Sequence, residues 1–246
     1  MKEIQNTLGW YKQRLGKFTS SKISDLMTSG KKKDEMWGDT AKSYMESIAA
    51  ERMLRDDVKG NDDLFEKYVE YMDGSSKYTE WGHLCEPKAR KAFSEAYGVE
   101  IYETDCIDHP SIDFLAGSPD GIIEGDAGSV DAVIEIKCPK PDTFVKYASR
   151  VKTAEDLKKV KKEYYWQCIN NMFVTGAKKC YFIVYCPWLQ EKMYVIEIPA
   201  DEDAFKQIEE RVNAANEEVD NIIATFLFGD EERDSPDSSS FSDLDG

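Results

Sequence analysis

The chain has 246 residues, 41% hydrophobic and 33% charged, enough to build one large domain around a real core. No apolar run approaches the ~18 residues that a membrane helix needs, and residues 1–8 hold no apolar segment of signal-peptide length. Membrane embedding and secretion are therefore not expected, and a cytoplasmic protein is.

A short helix is predicted over 22–27. The next predicted helix, 38–54, carries Ala41, Tyr44, Met45, Ile48 and Ala49 at helical spacing. Residues 80–97 form another, with Trp81, Leu84, Cys85, Ala89, Ala92, Phe93 and Ala96 on one stripe and Gly98 as its stop. Strand-like runs follow at 100–103, 112–116, 119–123 and 132–137, separated by Gly117-Ser118-Pro119 and Gly125-Asp126-Ala127-Gly128. Residues 142–150 look helical. Residues 161–175 form a strong helix with Tyr165, Cys168, Ile169, Met172 and Phe173 inward and Tyr164, Gln167 and Asn171 on a face expected to meet solvent. The run 180–186 is apolar throughout and reads as a strand buried on both faces. A strand at 192–198 and a long helix at 201–226 complete the pattern. The order predicts a mixed α/β core, a single domain over 1–228, and an acidic, Ser-rich tail, 229–246, expected to be disordered.

The net charge of −16 argues at first against nucleic acid. Its distribution reverses that. Residues 201–246 hold fifteen acids against Lys206, Arg211 and Arg233, so only −4 is spread over the first 200 residues. Two basic stretches stand inside that near-neutral part, 1–33 and 137–162, and both are available to meet phosphates. The six cysteines form no CxxC pair. They are expected to be free thiols in a reducing compartment, with neither a disulfide framework nor a zinc site.

The chemistry concentrates in Ser118-Pro-Asp-Gly121 and Glu135-Ile-Lys-Cys-Pro139. Alternate side chains share a strand face, so Glu135 and Lys137 point one way and Ile134 and Ile136 the other. Charges on a buried strand need a reason. If the two strands pair as a hairpin, Asp120 approaches Glu135. Two carboxylates and a peptide carbonyl make a hard-oxygen site suited to Mg²⁺ or Mn²⁺. A lysine beside it orients water or offsets charge on a phosphoryl oxygen. A lone Glu-x-Lys reads more simply as a structural ion pair; the preceding Pro119-Asp120 favours the metal site. Glu86 falls at the margin of its helix's apolar stripe. Pro87 follows it, a residue that costs about 3 kcal/mol inside a helix, and a broken local rule beside a carboxylate hints at function. Arg14, Gly16 and the hydroxyls of Thr19, Ser20 and Ser21 precede the predicted helix 22–27, an arrangement suited to an anion. Ordinary capping by Ser20 or Ser21 is expected as well as, not instead of, that role. Neither His83 nor His109 falls within these motifs.

Taken in order, these landmarks resemble the YqaJ-like viral recombinase, or lambda exonuclease, family of PD-(D/E)xK nucleases. They are Trp10…Arg14-x-Gly16…Thr19-Ser-Ser21, Trp81-Gly82…Glu86-Pro87, Ser118-Pro-Asp-Gly121, Glu135-Ile-Lys-Cys-Pro139, Tyr165-Trp-Gln167, and Tyr181 with Tyr185. The resemblance covers roughly residues 10–198. It implies a restriction-endonuclease-like core, a mixed central sheet flanked by helices. It implies Mg²⁺ (or Mn²⁺) held by Asp120, Glu135 and the carbonyl of Ile136, with Glu86 at the metal site, Lys137 as the catalytic lysine and Gln167 beside it. Arg14 and Ser21, with Thr19, would hold a 5′-phosphate. The implied activity is digestion of double-stranded DNA ends from 5′ to 3′, leaving a 3′ single strand for a single-strand annealing protein in phage-type recombination inside a bacterial host. A homotrimeric ring is implied too. Some related nucleases carry an iron–sulfur cluster; the dispersed cysteines here predict none. The acidic residues 201–246, the Lys-rich segment 152–162 and the loop 56–64 read as local variation. Two other readings compete: a restriction-like or repair endonuclease on the same core, and a non-catalytic DNA-binding or DNA-mimic protein. The intact Asp120, Glu135 and Lys137 count against a binding module, and the distance of the acidic residues from the motifs counts against a mimic.

Overall fold

Strand β5, Val130–Lys137, organises the molecule because it is buried on both faces. A computed structural model describes residues 5, 7–32, 35–72 and 77–229; the predicted tail, apart from Gly229, lies outside them. In chain order the helices are α1 (Leu8–Arg14), α2 (Ile23–Leu26), α3 (Asp39–Arg52), α4 (Asp56–Gly60), α5 (Asp62–Met72), α6 (Lys77–Tyr97), α7 (Pro141–Arg150), α8 (Ala154–Val160), α9 (Lys162–Thr175) and α10 (Glu202–Phe228). The other strands are β1 (Phe18–Thr19), β2 (Ile107–Asp108), β3 (Leu115–Gly117), β4 (Gly121–Glu124), β6 (Lys179–Tyr185) and β7 (Met193–Pro199).

The main sheet has the order β4-β5-β6-β7. β5 and β6 are parallel, so the chain must cross over between them, and α7, α8 and α9 make that crossover. The other two pairings are antiparallel. Ile134 and Ile136 face α6, where they join Cys85, Ala89, Phe93, Ile183 and Tyr185 in a small core. Val133 faces the larger core, built on Tyr165, Cys168, Ile169 and Met172 of α9 and closed by α3 and α10. The apolar run of β6 is central, as its composition predicts, with Phe182, Ile183 and Val184 fully buried. A second sheet, β1-β3-β2, pairs Phe18 with Leu115 and Thr19 with Ala116 in parallel. That register lays Ser20 and Ser21 beside Gly117 and Ser118.

Several predicted boundaries are corrected. Residues 100–103 form no strand but a single bridge, Tyr102 to Ile122. The strand expected at 112–116 is Leu115–Gly117, because Leu115 donates to the Ile112 carbonyl and closes a turn first. The strand expected from 119 starts at Gly121, since Pro119 has no N–H to give a ladder. The expected loop 56–64 is helical, in α4 and α5, and most of 152–162 is helix α8, opened by a capping box of Thr153 and Asp156. Helix α1 was not predicted: it buries no residue completely, so it has no apolar stripe to read. Gly98 ends α6 at φ +65°, as expected of a helix stop. All six cysteines are free. Among the described residues no helix is long and apolar enough to cross a membrane.

Candidate active site

The site begins where β4 ends. Gly121 pairs with Ile134, and β4 goes no further toward the end of β5. The N–H of Ile136 therefore has no strand opposite it, and the Asp120 carboxylate takes its place, with Oδ2 accepting that N–H at 2.6 Å. The Ile136 carbonyl leaves the strand on the same side, next to Asp120. Asp120 is fixed through its backbone as well. Its N–H donates to the Ile134 carbonyl at 2.9 Å, and its carbonyl accepts from Arg90 Nη1 at 3.1 Å. The other arm of Arg90 reaches Glu103 at 2.6 Å. Gly121 has to be glycine, because a Cβ there would stand 2.5 Å from Cγ2 of Ile101.

Glu135 is 0% exposed. Its Oε1 accepts from Lys137 Nζ at 2.5 Å and its Oε2 from Asn171 Nδ2 at 3.0 Å. Lys137 Nζ also stands 4.9 Å over the ring of Tyr164. Glu86, half-buried on α6, faces the same space. Burial pushes the Glu135 carboxyl up, to about 8, against the pull of Lys137 and with help from Asp120 and Glu86. Burial raises Asp120 as well, opposed by Lys137 and the Ile136 N–H. Glu86 is raised by burial and by Asp120. Burial would lower Lys137, but the fields of Glu135 and Asp120 and the hydrogen bond it donates to Glu135 outweigh it and hold the ammonium above its ordinary value. Three carboxylates thus crowd one ammonium, and burial first of all makes each resist ionisation. No group of three or more His, Cys, Asp or Glu side chains forms a ready-made metal cage among the described residues. A cation here would draw on Asp120, Glu135, the Ile136 carbonyl and water. That donor set fits Mg²⁺, which uses one or two carboxylates and keeps several waters.

Arg14 builds the second part. Its Nη1 donates to Ser118 Oγ at 2.9 Å, and its Nη2 to Thr19 Oγ1 at 3.2 Å and Ser21 Oγ at 3.3 Å. The guanidinium lies 4.1 Å over the Trp10 ring. Burial lowers its pKa, opposed by Cys106, Tyr44 and Glu51. The hydroxyls do not cap a helix, contrary to one expectation: α2 is four residues long, and Lys22 occupies its cap position with no side-chain bond. Thr19 and Ser21 accept from Arg14 instead, and Ser20 accepts from Asn170. Arg14, Thr19 and Ser21 line a cavity of about 610 Å³ with Tyr11, Lys17 and Tyr44. A second cleft, of about 830 Å³, is lined by Glu86, Ile136, Lys137 and Tyr164. Ser21 lines both.

Every predicted site residue except Gln167 stands on one of these two cavities or bonds to a residue that does. Gln167 is half-buried on α9, one turn before Asn171, and the cleft lining contains Tyr164 in its place. The expected solvent face of α9 is wrong for Asn171, which is 0% exposed and holds Glu135. The signal was present: two adjacent asparagines between Ile169 and Met172 are out of place in a helix otherwise apolar there. Asn170 ties Ser20 Oγ, at 2.7 Å, to the same helix. Gly117 makes room for the Asn171 amide and the Ser20 hydroxyl, since a Cβ would stand 2.9 Å from Asn171 Oδ1 and from Ser20 Oγ. His83, outside the motifs in sequence, lines the cleft beside Glu86.

Among solved structures the chain is similar to an alkaline exonuclease, LHK-Exo, from Laribacter hongkongensis. The two are 27% identical with a TM-score of 0.70, over 89% of this chain and 96% of that one. The same protein in complex with dAMP gives a TM-score of 0.71 at the same identity and coverage. A phage-related exonuclease from Haemophilus somnus 129PT shares the fold at 19% identity and a TM-score of 0.63, over 85% of this chain and 96% of that one. The core is the restriction-endonuclease-like one of the PD-(D/E)xK nucleases. No curated protein matches the sequence. The family model of the YqaJ-like viral recombinase domain matches residues 9–178, more than half of the sequence, and the chain belongs to that family.

Proposed function

We propose that the protein is a divalent-metal-dependent exonuclease that digests double-stranded DNA from 5′ ends and leaves a 3′ single strand. The family and the likeness to alkaline exonucleases support a phage-type DNA exonuclease. The observation that carries the 5′ direction is the sharing of Ser21 between the Arg14 cavity and the Lys137 cleft. An anion anchored on Arg14 lies one short step from the carboxylates that would cut behind it.

Asp120, Glu135 and the Ile136 carbonyl would hold Mg²⁺ or Mn²⁺, with Glu86 beside them. When bound, the cation supplies positive charge at the scissile phosphate and acidifies a water. Asp120 is aimed by the Ile136 N–H and by Arg90, and Glu135 by Asn171. Lys137, kept fully charged, orients the attacking water or meets the charge that develops on the phosphoryl oxygen. Gln167 would act from beside the site. Arg14, with the hydroxyls of Thr19 and Ser21 beside it, grips the terminal 5′-phosphate. The duplex end is the substrate, the 3′ strand passes to a single-strand annealing protein, and a homotrimer would keep the DNA threaded. The setting is the bacterial cytoplasm.

Digestion of linear and covalently closed circular duplex, with Mg²⁺ and with EDTA, tests this. Expected are release of nucleotides from linear DNA only, with Mg²⁺ only, and loss of a 5′ label before a 3′ label. Cutting of circles at the linear rate would turn the reading toward an endonuclease.

A further inference from the structure

We propose that Trp188, backed by Trp81, is a stacking platform for a nucleobase of the single strand at the mouth of the cleft; this deepens the nuclease reading and rests on it for the identity of the ligand. Trp188 stands in the turn between β6 and β7, directly after Pro187, and is 72% exposed. Its ring stacks on Trp81, with centroids 5.7 Å apart and planes 10° from parallel. Trp81, on α6, packs its other side into the small core of Cys85, Ala89 and Phe93. The turn is pinned as well: Cys186 is buried, its N–H donates to Lys192 at 2.8 Å, and its carbonyl accepts from Leu189 at 3.3 Å. The result is a fixed, flat indole anchored through a second indole to the core.

Both tryptophans line the cleft that holds Glu86 and Lys137. Its volume of about 830 Å³ suits a nucleotide-sized ligand. Aromatic faces beside ammonium groups are the chemistry with which proteins hold single strands without sequence preference, since every base offers a π-face. A protein partner would need an unbroken apolar patch; here the charged Glu86, Lys137 and Lys140 stand among the aromatic and apolar groups of the lining. A strand running from the carboxylates out of the cleft passes the indoles, and a base unpaired from the duplex end stacks there.

The test compares wild type, Trp188→Ala and Trp188→Phe by calorimetric titration in EDTA. The two probes are a ten-nucleotide oligothymidylate and an abasic strand of the same length. Wild type should bind the thymidylate more tightly than the abasic strand. Trp188→Ala should lose roughly five- to a hundredfold in affinity for the thymidylate and bind the abasic strand like wild type, and Trp188→Phe should recover most of the difference. With Mg²⁺ present, Trp188→Ala should raise KM for linear duplex by more than it lowers kcat. Equal binding of both strands by wild type, or undiminished thymidylate binding by Trp188→Ala, overturns the platform. If wild type cuts no DNA with either Mg²⁺ or Mn²⁺, the nuclease reading fails, and the calorimetric comparison still decides the platform.

Discussion

Replacing Arg14 by alanine separates end recognition from hydrolysis. The guanidinium is held by three hydroxyls and the Trp10 face, while the nearest acid whose field it feels, Glu51, is tied to the Gly16 N–H at 2.7 Å. Its charge is thus left for a ligand. A hydrogen bond to a charged group contributes about 1.5–3 kcal/mol, which corresponds to a roughly 10- to 150-fold change in rate. Wild type should digest duplex with 5′-phosphate ends faster than duplex with 5′-hydroxyl ends by about that factor. Arg14→Ala should cut both at the slow rate, because only the phosphorylated end used the contact. The same substitution removes the cation–π contact with Trp10, worth about 0.5–1 kcal/mol at a partly exposed site, so a urea midpoint must be recorded beside each rate. Arg14→Lys keeps the charge and loses the two-pronged geometry, and should fall between the two. Asp120 and Glu135 are untouched, so the Mg²⁺ concentration for half-maximal rate should not move. A wild type indifferent to the phosphate, or an Arg14→Ala protein that keeps the preference, refutes the assignment of this cavity.

Glu135→Gln and Lys137→Ala should each slow hydrolysis by about 10²–10⁴-fold while duplex binding in EDTA persists; near-normal rates in either variant would remove the proposed chemistry. Asn171→Leu leaves Glu135 Oε2 without its buried donor, which costs about 1–3 kcal/mol. It should lower both the urea midpoint and kcat, and a loss of stability with kcat intact would make Asn171 structural only. The carboxylates also set a pH dependence. Glu135 is raised from its ordinary 4.5 to about 8, so its contribution to the stability of the metal-free fold is fully present below the ordinary value and is lost as pH rises through about 8. A cation that relieves this repulsion should raise Tm by more at about pH 8.5 than at about pH 6. Equal Tm gains from Mg²⁺ at both pH values would show that these groups do not bind it.

Period carried most of the fold. Helices α3, α6, α9 and α10 bury long stripes, and strand β6 is apolar from end to end, so their patterns are set by the core they face. The elements that went unread have little core to face. Helix α1 has no fully buried residue, and α5 has only Phe65. Helix α1 is held by long-range contacts such as Lys12 to Asp62 and Gln13 to the Cys106 carbonyl, which leave no local periodicity; α5 does carry helical spacing, at Leu64, Phe65, Tyr68, Val69 and Met72, although only Phe65 is buried. Helix α8 differs: Thr153-x-x-Asp156 is a capping signal visible in sequence.

The catalytic half of the site was legible for a local reason. Asp120 and Glu135 lie on one hairpin, so the alternation of β5 and the turn before it suffice to bring them together. What the pattern hid is the support around them. Arg90 fixes Asp120 from α6, and Asn171 fixes Glu135 from α9. On a helical wheel Arg90 looks like an ordinary surface residue, and only the packing of helix on sheet turns it inward; for Asn171 the one visible sign was the asparagine pair in an otherwise apolar stretch. The hydroxyl run Thr19-Ser20-Ser21 makes the same point. Beside a helix start, a serine reads equally well as a cap or as an anion donor. The parallel pairing of Phe18 and Thr19 with Leu115 and Ala116 decides between them, because it delivers Ser118 to Arg14 and leaves Thr19 and Ser21 on the guanidinium while Ser20 meets Asn170. That pairing joins segments nearly a hundred residues apart, and no local rule encodes it. On the proposed roles, recognition of the end and cutting of the strand would be coupled through the small sheet, and a substitution that loosens β1 against β3 should impair both together.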